Sequence, residues 1–142
     1  MQMFILILAL FITGCASTPV PLDKAALISK DRIYYQPPPP TNKPAARSIF
    51  IRDRGIQGNM VNAHIFINGI HAAALDVGER ADFSLEPGEY IFTVKPTDPL
   101  GMTVSDSLNQ TLYSGKDHLY RVFFDGNSWR IQRVHPEIQN NP

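Results

Sequence analysis

The chain has 142 residues, with 13 Lys plus Arg against 13 Asp plus Glu and a formal net charge of zero. That balance excludes a basic nucleic-acid surface and an acidic cation sink as organising features. Cys15 is the single cysteine, so neither a disulfide within the domain nor a cysteine metal site is available, and core packing must hold the fold.

Every residue from Met3 to Ile12 is apolar. Ten residues are too few to span a hydrocarbon core, which takes about 20 in a helix, but they suit the apolar region of a signal peptide. The n-region, Met1-Gln2, carries no Lys or Arg. Ile12-Thr13-Gly14-Cys15 resembles the bacterial lipobox. The resemblance implies cleavage between Gly14 and Cys15, removal of residues 1–14, and acylation of Cys15, whose thiolate is the nucleophile the lipid transfer needs. Two acyl chains suffice for stable attachment. Ala16 rather than Asp after the cysteine implies, by resemblance to bacterial sorting rules, the outer membrane. Membrane lipid, through acylated Cys15, is therefore one expected partner.

Residues 15–47 read as a lipidated N-terminus and a proline-rich tether. Leu22 to Ser29 has room for one or two helical turns, which are marginal alone. Pro37-Pro38-Pro39-Pro40 predicts a stiff polyproline II spacer.

The domain is expected over 48–135. Ser48–Asp53 reads as a first strand and Met60–Ile67 as a second, with Val61, Ala63, Ile65 and Ile67 on one face at period two. Asn68-Gly69 signals a type I′ hairpin, and Ile70–Asp76 returns. Strict alternation pairs Ile65 with Ala72 and Ala63 with Ala74 towards the core. It leaves Asn62, His64, Phe66, His71 and Leu75 on the other side. Ala81, Phe83 and Leu85 alternate with polar residues in the next strand. Pro87-Gly88 turns the chain, and Tyr90, Phe92 and Val94 face inward after it. Met102, Val104, Leu108 and Leu112 share a face with Asp106 and Gln110, which predicts a bulge or break. His118–Asp125 and Ser128–Val134 complete eight strands. Residues 136–142 form a flexible tail. Short strands at this spacing predict an all-β fold, a small antiparallel β-sandwich of about 7–8 strands.

Val61-Asn-Ala-His-Ile-Phe-Ile-Asn-Gly69, Gly78 and Leu85-Glu-Pro-Gly-Glu-Tyr-Ile-Phe-Thr-Val94 resemble the pattern of PEGA-type domains and of an uncharacterised family of short bacterial lipoproteins. Gly115-Lys-Asp-His-Leu-Tyr-Arg-Val122 resembles a later strand of that lipoprotein family, and Arg52 or Arg54 fits an arginine of its first strand. The resemblance covers about residues 48–134. It implies an Ig-like or transthyretin-like sandwich tethered in the envelope, without a known enzymatic site.

Candidate chemistry is sparse. His64 and His71 fall close across the hairpin, but zinc wants three or four ligands; two histidines on a solvated face are the simpler reading, and no metal or cofactor is expected. Ser84, Ser105, Ser107, Asp117 and His118 are the parts a hydrolase would use, yet none sits in a nucleophile elbow. Phe66, Leu75, Phe123 and Trp129 are the candidates for an exposed apolar interaction surface. The resulting expectation is a non-enzymatic outer-membrane lipoprotein whose sandwich binds another envelope component, with an envelope protein as partner and no nucleic acid. A glycan or small-molecule reader is the alternative, and a hydrolase the third.

Overall fold

The computed structural model describes residues 17–55, 61–97 and 105–135. The expected signal sequence, Gly14, Cys15, Met102, Val104 and the expected tail lie outside them. Two sheets pack face to face. One has the order β1 (Ala26–Leu27), β5 (Glu79–Leu85), β2 (Ala46–Arg52), β8 (Asp117–Phe124), β9 (Trp129–Val134). The other has the order β4 (Ile70–Leu75), β3 (Ala63–Ile67), β6 (Gly88–Pro96), β7 (Asp106–Leu112). The expected β-sandwich is thus the fold. Most pairs are antiparallel, but β2 runs parallel to β8 and β1 parallel to β5.

Period two builds the interior. Phe50, Phe83, Phe92 and Tyr120 meet between the sheets, with ring centroids 5.0 to 6.1 Å from Phe50. Ala63, Ile65, Val94, Val122 and Ile131 fill the space around them. Asn68 (φ 49°) and Gly69 (φ 79°) both take the left-handed conformation that a type I′ turn demands. The predicted break near Asp106 is absent: β7 pairs with β6 without interruption from Asp106 to Leu112. Its inward polar groups are met by the facing sheet instead. Asp106 accepts the Ile131 N–H at 3.0 Å, and Gln110 Oε1 lies 3.4 Å from Arg133 Nη1.

The segment read as a free tether is the largest correction. Thr18 and Arg54 exchange backbone hydrogen bonds of 2.6 and 3.0 Å. Val20 is buried and, with Leu22 and Ala25, packs on Ile49, Ile51 and Leu119. The chain then adds β1 to the edge of β5, inside the stretch that had room for helical turns, and makes a 3-10 turn over Lys30–Arg32. Arg32 forms a two-pronged ion pair with Glu79, both bonds 2.6 Å. Ile33 bridges Ala73 on the outer edge of β4. Residues 18–35 are a strap that covers one sheet and closes one side of the sandwich. Sequence periodicity does not reveal it because its apolar residues are single ones, buried only against a distant surface. Pro37–Pro44 becomes a link between strap and β2, held at its end by Ser114 Oγ, which donates to the Pro44 carbonyl at 3.0 Å, and by the Gly115 N–H on Ala45.

Candidate functional site

The four candidate surface residues do not form one patch. Leu75 is fully buried, and Trp129 is 2% exposed. A β-bulge explains Leu75: the register shifts between Ile65 and Phe66, leaving Ala72 without a partner, so Ala73 pairs with Ile65 and Leu75 with Ala63 on the core side. Trp129 is core because Arg52 lies over its ring, 4.8 Å from the centroid. Arg52 is buried too and donates to the Val61 and Leu75 carbonyls at 2.5 and 2.8 Å. Phe123 is half-buried beside Arg121, on the five-stranded sheet. Only Phe66 stands on the outer face of the four-stranded sheet.

That outer face is the candidate site. Phe66 stacks on His71 at 4.9 Å, Tyr34 reaches His71 from the strap at 4.4 Å, and Lys95 Nζ sits 4.7 Å from the Phe66 ring centre. His64 Nδ1 is 2.8 Å from His71 Nε2, and His64 Nε2 is 2.7 Å from Thr97 Oγ1. Burial, and for His64 also the nearby His71, holds both imidazoles below the usual histidine value. The two rings share one proton in a hydrogen bond. Their spacing does not suit one zinc ion, whose two bonds of 2.0–2.1 Å in tetrahedral geometry would separate the nitrogens by about 3.3 Å. No group of three or more His, Cys, Asp or Glu that could hold a metal forms among the described residues. Further along the face, Ile91 is 49% exposed. It sits with Asn68, Glu89, Asn109 and Thr111 in an open depression of about 470 Å³. Tyr34 and Lys95 are contributors that sequence reasoning missed. No local signal marks Tyr34, since it lies in the strap; Lys95 was legible as an outward residue at period two from Thr93.

The outer face of the five-stranded sheet contrasts with it. There Asp53 is buried and accepts the Val20 N–H at 3.1 Å and Arg121 Nε at 2.7 Å. Burial pushes its carboxyl above the usual range, against the pull of Arg121 and the Val20 N–H.

The hydrolase parts are not assembled. Ser84 and Asp117 pair in register with the same residue, Arg47, from opposite sides, so they stand two strands apart on the outer face. His118 points inward and is 1% exposed. Its Nε2 accepts the Tyr113 N–H at 3.2 Å, and its Nδ1 has no partner; neither has the neighbouring buried Ser48 Oγ. Ser107 bonds Thr93 at 2.8 Å.

Comparison with protein-family models, curated proteins and solved structures finds no match for this chain.

Proposed function

We propose that this protein is a lipid-anchored, non-enzymatic component of a bacterial outer membrane that binds another envelope protein through the outer face of its four-stranded sheet. One observation carries the reading. The strap packs over the outer face of the five-stranded sheet, whereas the other outer face presents Phe66, His71, Lys95 and Ile91, and among the described strap residues Tyr34 leans on its border. Aromatic groups with nearby polar partners are the composition of protein interfaces. The lipobox-like Ile12-Thr13-Gly14-Cys15 supports the anchor.

Site-specific photocrosslinking in cells tests it. A photoreactive residue at Phe66 or Ile91 of the full chain is expected to trap one protein of defined mass, and one at Gln132, on the opposite outer face, none. Adducts from all three positions alike, or from none, overturn the reading. The depression around Ile91 favours a second reading, a glycan site, since amides and hydroxyls surround an apolar centre there. Binding of soluble cell-wall fragments that perturbs Ile91, Asn109 and Thr111, with no protein adduct, would select it.

A further inference from the structure

The chain between Cys15 and the first pinned residue is very short. Thr18 is locked to Arg54 by two backbone hydrogen bonds, and Val20 follows it into burial with its N–H on Asp53. Three residues of chain span at most about 11 Å, whatever their conformation. The expected spacer therefore does not lie between anchor and domain: the proline run comes after the strap, inside the folded unit.

The strap enters at one pole of the sandwich. β2 ends there at Arg52, and Gly78, in the turn between β4 and β5, donates its N–H to the Arg52 carbonyl at 3.0 Å. The turn between β8 and β9 is at the same pole; Asp125 holds it by accepting the Asn127 and Ser128 N–H groups at 2.9 and 2.8 Å. Asn68-Gly69, Pro87-Gly88 and the Tyr113–Lys116 turn occupy the opposite pole. The seven residues of β2 put about 23 Å between the two ends.

We propose that the sandwich stands on the lipid surface on the pole that includes, among the described residues, Thr18, Arg54, the Asp76–Gly78 turn and the Asp125–Ser128 turn, with the Tyr113–Lys116 turn facing away from the bilayer. The inference rests on acylation of Cys15. The short connection fixes which pole is near the headgroups. The outer face of the four-stranded sheet then rises along the membrane normal, open to a partner approaching from the side.

The test uses the full chain purified with its lipid from bacterial membranes. With Cys15 acylated, Asn127→Cys and Lys116→Cys each supply a single free thiol at an exposed turn position. Each is labelled with a fluorophore and placed in phosphatidylethanolamine and phosphatidylglycerol vesicles carrying a headgroup nitroxide. Quenching at 127 is expected to exceed that at 116 several-fold. Equal quenching, or stronger quenching at 116, with acylated Cys15 confirmed by intact mass, overturns the orientation and leaves the anchor standing. An intact mass showing unmodified Cys15 overturns both.

Discussion

The two outer faces of this sandwich are made by the same rule and finished differently. On the five-stranded sheet the outward residues of β2 are Arg47, Ile49 and Ile51, and the strap buries the two isoleucines to 1% and 0% exposure. On the four-stranded sheet the outward residues include His64, Phe66, His71, Ile91, Thr93 and Lys95, all left partly or fully open. The apolar strip of Ile49, Ile51 and Leu119 is covered by a chain segment that folds back over it. A mixed aromatic and polar face stays accessible without such cover. The first therefore carries stability, and the second is the face we propose for recognition.

Substitutions should separate these roles. Ile51→Ala opens a cavity beneath the strap and should cost about 2–5 kcal/mol, read as a shift in urea midpoint. Asp53→Ala leaves the Val20 N–H without its acceptor and the part-exposed Arg121 without its carboxylate, and should cost about 1–3 kcal/mol. An effect under about 1 kcal/mol in either would erase the distinction between the faces. Acid comes next. His64, His71 and His118 are all held below the usual histidine value, chiefly by burial. The unfolded chain thus takes up protons first as pH falls. Stability should be flat above about pH 6.5 and decline below it. For His118, the Asp117 carboxylate and the carbonyls of Arg47 and Lys116 favour the cation, and Arg133 and burial oppose it. A proton on Nε2 would displace the Tyr113 N–H, so His118→Gln should flatten the acid limb; an unchanged limb assigns it to the outer-face pair. The smallest effect belongs to Phe66→Ala, which should change stability by about 1 kcal/mol or less while abolishing the crosslink from position 91.

What the sequence disclosed follows the range of the interactions involved. Eight strands and the Asn68-Gly69 turn are local, written in alternation and in backbone demands that few residues meet. The parallel ladder between β2 and β8 is not local, and no spacing announces it. Val20 and Ile28 look like stray apolar residues in a polar, proline-bearing stretch until Ile49 and Ala81 are placed beside them. Leu75 was misassigned to the surface because alternation was carried past a position where the strand gains a residue. Of the proposed patch only Phe66 stands on the outer face of the four-stranded sheet, and its neighbours Tyr34, His71 and Lys95 come from three separate segments.

The unpaired Ala72 also decides what the border of β4 can do. Its carbonyl receives the Tyr34 N–H at 2.8 Å, and the kink breaks the straight row of donors and acceptors that another molecule would need to extend the sheet. With β1 capping the start of β5 on the same flank, copies of this protein are blocked from joining border to border there, a safeguard against fibre growth at high local concentration.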